Sequence, residues 1–155
     1  MPKLYVLVGV PASGKSTWVK NQVWAKDCAY ICTDVHVENY AQTVGKTYSE
    51  VFKDYMPTAI ELMMNDVRAA RQSGKDIIWD QTSTTLASRK RKFVSLPDYD
   101  AIAVVFKTPS EEELARRLAS RPGKVIPQEV VEQMVFDLEI EPPTVEEGFK
   151  EVWYT

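Results

Sequence analysis

Short apolar runs alternate along the chain with longer stretches of helical periodicity. Leu4-Tyr5-Val6-Leu7-Val8 is continuous and rich in β-branched residues, the pattern of a strand buried on both faces. Ala29 to Cys32, Asp76 to Trp79, Ala101 to Phe106 and Glu151 to Tyr154 predict four further strands. Lys15 through Lys26 contains neither proline nor glycine and predicts a helix directly after the first strand and its loop. Thr47-Tyr48-Ser49-Glu50 has the form of a capping box. Phe52, Tyr55, Ala59, Met63, Val67 and Ala70 then recur at helical spacing until Ser73-Gly74. Pro57 interrupts this run, which predicts a kink or two abutting helices. A second box, Thr108-Pro109-Ser110-Glu111, puts proline at the first helical position and opens a helix through Arg117. Pro127 starts another, with Val130, Val131, Met134, Val135 and Leu138 as its apolar stripe. Thr144 to Glu147 predicts a last short helix closed near Gly148. All these stripes read as core. Strands alternating with helices imply right-handed crossovers: an α/β three-layer sandwich, about five parallel strands with the first one central and helices on both faces.

Composition adds bounds. At 155 residues the chain is expected to form a single domain spanning positions 1–155, without repeats or a linker. The balance of 45% hydrophobic and 26% charged residues is that of an ordinary globular protein. No apolar run has the length of a membrane span, and Met1-Pro2-Lys3 leads straight into a strand without a signal peptide. Cys28 and Cys32 are too few for a disulfide framework, so reduced thiols and a cytoplasmic location are expected. Together with His36 they make three scattered candidate metal ligands without a CxxC pair, and the cysteines read as half-buried strand residues. A net charge of −3 argues against non-specific coating of nucleic acid but leaves room for a local basic groove. A monomer is expected.

The chemistry begins at Gly9-Val10-Pro11-Ala12-Ser13-Gly14-Lys15-Ser16-Thr17, a complete GxxxxGK[ST] loop set between a predicted strand and a predicted helix. Glycines at 9 and 14 let successive N–H groups turn inward, and the helix N-terminus adds partial positive charge. Lys15 is placed for the outer phosphates and Ser16 for a Mg²⁺ ion, so Gly9 and Pro11 through Thr17 are the candidate binding residues for a nucleoside triphosphate.

In a parallel sheet the ligand lies beyond the carboxyl ends of the strands. Asp34 and Asp80 fall at that edge. Phosphoryl transfer needs a carboxylate to take the acceptor proton, the role read for Asp34. Asp80, at a strand tip, reads as holding a Mg²⁺-bound water or positioning the acceptor. Arg117 and Arg121 are four apart, next to a Pro-Gly turn, and read as a lid that closes over ATP; Arg116 reads as a solvated residue. Arg89-Lys90-Arg91-Lys92 is the densest basic run, either a solvated helix face or the lining of an anionic acceptor's path. Asp34, His36, Asp80, Thr82 and Arg89 form the candidate acceptor side.

With these residues assembled, the chain from about Met1 to Met134 resembles the kinase domain of the T-even bacteriophage 5′-hydroxyl polynucleotide kinase family, and more loosely the small P-loop kinases. The resemblance rests on Gly14-Lys15-Ser16-Thr17-Trp18, on the positions of Asp34 and Asp80, and on Arg117-x-x-x-Arg121-x-x-Lys124-x-x-Pro127 followed by Val130 and Met134. It implies transfer of the ATP γ-phosphate to a nucleic-acid 5′-hydroxyl, with ATP and Mg²⁺ as cofactors, DNA or RNA as partner, and Lys15, Ser16, Asp34 and Arg121 critical. It also implies a place in nucleic-acid repair or modification. Three departures stand out. The family's acceptor-gripping arginine, three residues after the aspartate, is Val37 here. Its Asp-Thr-Asn is Asp80-Gln81-Thr82, and its phosphatase domain has no counterpart in this sequence. A small acceptor (nucleoside, sugar, nucleotide-sugar) or a modified base in phage DNA is the alternative, and a non-catalytic nucleotide-binding regulator is less favoured. A kinase is strongly favoured over a GTPase switch, since no Asn-Lys-x-Asp occurs and Asp80-Gln81-Thr82-Ser83 is not Asp-x-x-Gly.

Overall fold

The computed structural model describes every residue from Met1 to Thr155. Five parallel strands, β1 (Lys3–Val8), β2 (Ala29–Ile31), β3 (Ile77–Asp80), β4 (Asp100–Val105) and β5 (Glu151–Tyr154), form one sheet in the order β2-β3-β1-β4-β5. The phosphate-loop strand is central, as its unbroken apolar run requires: Leu4 through Val8 are all buried. The helices are α1 (Lys15–Lys20), α2 (Thr33–Val44), α3 (Tyr48–Ser73), α4 (Leu86–Ser95), α5 (Glu111–Ala119) and α6 (Gln128–Ile140).

The two sheet faces differ in what covers them. On one, Leu4, Val6, Val8, Ile77, Trp79 and Ala103 pack under Met63, Val67 and Ala70 of α3, with Phe93 of α4 and Phe149 completing the layer. On the other, Tyr5, Leu7, Ile78, Val104 and Phe106 are covered by Trp18 and Val19 of α1 and by Trp24 of a short 3-10 helix (Val23–Asp27). This second face explains why the helix predicted to reach Lys26 stops at Lys20. Trp18 and Trp24 meet at 5.9 Å, and Trp24 packs on Tyr5 at 4.6 Å. In one straight helix, residues six apart point about 120° from each other, so the chain must turn at Asn21 to bring both rings inward.

The remaining differences are local. Thr33–Val44 is a helix where no element was predicted. α3 is one 26-residue helix, not two; Pro57 and Lys53 lie on its exposed side, so the carbonyl that proline cannot pair is open to water. Phe52, read as core, is exposed, while Val51 takes the buried position. α5 is capped two residues later than the predicted box: the Ser110 hydroxyl accepts from the Glu113 N–H at 3.3 Å, leaving three glutamates in the first turn, where the helix dipole favours them. Thr144 to Gly148 is a turn closed by reciprocal Thr144–Glu147 hydrogen bonds, not a helix, because Phe149 must drop into the core beside Phe93.

Candidate active site

Strand register brings the site together. Leu7 lies abreast of both Asp80 on β3 and Val104 on β4, and Ile31 lies abreast of Trp79. The residues that follow β1 and β2 therefore emerge beside Asp80: the phosphate loop from one, Cys32-Thr33-Asp34 from the other. The Gly9 N–H donates to the Thr82 carbonyl at 3.0 Å and fastens the loop to the segment after β3. A cleft of about 1220 Å³ opens here, lined by the phosphate loop, the start of α2 and α3, Asp80 to Thr82, and the segment from Arg117 through Pro127.

The loop has the shape of an anion cradle. Ala12 (φ 63°) and Gly14 (φ 98°) are left-handed, a turn that directs successive N–H groups inward. A Cβ on Gly9 would stand 2.7 Å from Ser13 Oγ and 3.0 Å from Phe106 Cβ, so only glycine fits. Lys15 Nζ donates to the carbonyls of Gly9 (3.0 Å) and Val10 (2.8 Å). Burial lowers its pKa to about 8, against the opposing pull of Asp80 and Asp34. Two buried polar atoms in this cradle have no partner, Ser13 Oγ and Arg121 Nη1. Orphaned donors at the mouth of a left-handed loop fit an anion with several acceptor oxygens.

Arg117 extends from the last turn of α5; Nη1 donates to the Ala12 carbonyl at 3.1 Å and Nε to Glu113 at 2.8 Å. Arg121 follows the helix end and lines the same cleft, whereas Arg116 makes a surface pair with Glu113. Beneath this segment Val10, Leu114 and Val131 form a small core of their own, with Leu118, Ile126 and Met134 against it.

Asp80 ends β3 almost buried. Its Oδ2 accepts from the Tyr30 hydroxyl and from Ser16 Oγ at 3.4 Å. Burial raises its pKa, with Tyr30, Lys15 and Ser16 pulling the other way. Burial and this carboxylate together push the Tyr30 hydroxyl far up, so it remains a donor. A hydroxyl and a carboxylate this close are hard oxygen donors suited to Mg²⁺, which takes few protein ligands and completes its shell with water and substrate phosphate.

Asp34 sits in the first turn of α2, where the helix dipole favours a carboxylate. Its two oxygens are held separately: Oδ1 accepts from the Tyr48 hydroxyl at 2.6 Å and Oδ2 from Lys124 Nζ at 3.0 Å. The side chain is 41% exposed and lines the cleft. Lys124 also reaches Glu38 at 3.1 Å and lies 4.4 Å from the Tyr48 ring centre. Tyr30, Tyr48 and Lys124 had no role in the sequence reading. Lys124 was visible within the Arg117-to-Pro127 pattern, but the tyrosines carried no signal.

Two candidates on the acceptor side are placed elsewhere. Arg89 is fully buried: Nε pairs with Glu147 at 2.8 Å, Nη1 donates to the Ser83 carbonyl at 3.0 Å and Nη2 to the Glu141 carbonyl at 2.7 Å. It ties α4 to the C-terminal turn and, fully buried, does not line the cleft. His36 Nε2 lies 2.7 Å from Asp66 of α3, and the residue does not line the cleft. Thr82 lines it and supplies the carbonyl under Gly9. Val37, at the position of the resembled family's arginine, is buried among Ala41, Val51 and Ala59.

Fold and cleft define a P-loop kinase domain. Residues 4–140 match the AAA domain family, and the chain belongs to that family. It is 27% identical over 155 residues to the bifunctional polynucleotide phosphatase/kinase of Schizosaccharomyces pombe, covering 97% of this chain and 32% of the relative. Among solved structures, it is 26% identical to a chain of the Pnkp1/Rnl/Hen1 RNA repair complex, with a TM-score of 0.72 over 90% of this chain and 44% of the other. The PezAT chromosomal toxin-antitoxin system of Streptococcus pneumoniae shares the fold at 18% identity, with a TM-score of 0.68 over 99% of this chain and 68% of the other. The chain thus spans about a third of the curated relative's length. No helix is long and apolar enough to cross a membrane.

Proposed function

We propose that the protein is an ATP-dependent kinase that transfers the γ-phosphate to the 5′-hydroxyl of a polynucleotide. The observation that carries this reading is the placement of Asp34. It is a cleft-lining carboxylate whose two oxygens are oriented by Tyr48 and Lys124, in the same cavity as the phosphate loop, Lys15 and Arg121.

The loop N–H groups and Lys15 hold the β- and γ-phosphates; Lys15 exchanges its carbonyl partners for phosphate oxygens. Arg117 and Arg121 face the charge that spreads over the transferring phosphoryl group. Ser16 and Asp80 would hold Mg²⁺, which would supply neutralisation of charge on the phosphates. Asp34 orients the acceptor hydroxyl and takes its proton as the new O–P bond forms and the bond to the β-phosphate oxygen breaks, releasing ADP. The polynucleotide acceptor is supported by the lid pattern Arg117 to Pro127, shared with the phage kinase family, and by likeness to a relative named as a polynucleotide phosphatase/kinase.

Asp34→Asn tests the arrangement. Loss of the base is expected to lower kcat by on the order of 10²–10⁴-fold while the Kd for ATP, measured by calorimetry, stays unchanged. Wild-type kcat in this variant overturns the base assignment.

A further inference from the structure

A second pocket, of about 860 Å³, opens between α3 and α4. Gln81 and Thr82 line both it and the main cleft, so the two cavities meet at the segment after β3. Its chemistry is one-sided. Lys90, Arg91 and Lys92 line it together with six hydroxyl side chains, and no carboxylate does. In a chain of net charge −3 this is a local reversal of sign.

Two buried polar groups here lack adequate partners. Lys92 is 4% exposed, yet its Nζ makes a single long contact, 3.5 Å to the Ser88 carbonyl, and rests 5.1 Å from the Trp79 ring centre. No acid offsets its burial; Arg91 and Arg89 add to the cost, and its pKa falls to about 7. Ser83 is 3% exposed and its Oγ has no partner. A purely structural role would be served better by an apolar side chain or by a paired lysine. An unpaired ammonium and an idle hydroxyl in an acid-free pocket match the needs of a phosphate oxygen.

We propose that this pocket binds a backbone phosphate of the acceptor strand, interior to the nucleotide whose 5′-hydroxyl occupies the main cleft. The proposal rests on the polynucleotide reading and deepens it. It assigns the grip on the strand to α4, since position 37 on α2, buried as valine, cannot supply it. The same chemistry could be offered by the phosphate of a mononucleotide or by free phosphate, and the test separates these sources.

The variants are Lys92→Met, which keeps the stem packed on Trp79, and the surface pair Lys90→Ala/Arg91→Ala. Affinity for a 3′-labelled 5′-hydroxyl decanucleotide is measured by fluorescence anisotropy without ATP. KM is measured for the decanucleotide, for a nucleoside 3′-monophosphate and for ATP. Both variants are expected to bind the decanucleotide about tenfold more weakly, with a shallower salt dependence. KM for ATP and for the mononucleotide should stay within about twofold of wild type. Unchanged decanucleotide affinity overturns the proposal, as does an equal loss for the mononucleotide, which would make the pocket part of the general acceptor site. Failure of the polynucleotide reading looks different: wild type then transfers phosphate to no oligonucleotide. Should wild type also fail to bind one, both readings fall together.

Discussion

Arg89 and Lys92 are three positions apart on one face of α4, and that face points inward. Arg89 spends its guanidinium on Glu147 and two carbonyls, whereas Lys92 has only a long carbonyl contact and a ring. Arg89→Ala strands the buried Glu147 carboxylate and is expected to cost on the order of 3–5 kcal/mol in denaturant unfolding. Lys92→Met removes an unpaired buried charge and should instead stabilise the fold by on the order of 1–3 kcal/mol. The pH dependence carries a definite sign. In the folded state Lys92 gives up its proton near pH 7, while in the unfolded chain it holds it to about 10.5. Between those values the unfolded state binds more protons, so the contribution of Lys92 makes stability rise with pH across that window. The rise should disappear in Lys92→Met; its persistence would place the titration elsewhere. A dense basic run could be read in the sequence as surface or as an acceptor path. Which of its members are buried depends on Glu147 and Trp79, distant partners that no local pattern reveals.

Among the elements, the junction between α3 and the tip of the 117–127 segment matters most for the site. Gly123 accepts from the Ser49 N–H at 3.0 Å, the Val125 N–H donates to Ser49 Oγ at 2.7 Å, and Lys124 lies over Tyr48. Gly123 has φ +69°, and a Cβ there would stand 2.9 Å from Thr47 Cβ. Gly123→Ala is expected to lift the tip at a cost on the order of 1–3 kcal/mol, lowering kcat/KM about tenfold or more and Tm by roughly 2–4 °C per kcal/mol. Wild-type kinetics would mean that the junction does not hold Arg121 and Lys124 in place. Thr47→Ala removes a capping box and should cost about 1 kcal/mol in thermal unfolding. That box was legible in the sequence because capping is local chemistry. α2 was not legible, because only Thr33, Val37 and Ala41 are buried along it, one per turn and without an apolar stripe. The end of α1 was missed because packing of Trp24 on Tyr5, not local propensity, sets it.

At the scale of the molecule, the alternation of strands and helices and the apolar strength of Leu4 to Val8 were enough to anticipate a parallel sheet with the phosphate loop at its centre. Topology then carried Asp34 and Asp80 to the same edge. The orienting shell stayed out of reach for a physical reason: Tyr48 meets Asp34 across 14 positions, Tyr30 meets Asp80 across 50, and Lys124 meets Asp34 across 90. Only the folded sheet brings them together. A division of labour across that edge is expected, with the donor held by the phosphate loop and the arginines and the acceptor by Asp34 and the strand path beyond it. The most direct measurement is transfer of label from γ-labelled ATP to 5′-hydroxyl DNA, 5′-hydroxyl RNA, nucleoside 3′-monophosphates and free nucleosides, assayed side by side. Labelled oligonucleotides are expected, with label lost when the same strands carry a 5′-phosphate. Label appearing only on the small molecules would contradict the polynucleotide reading.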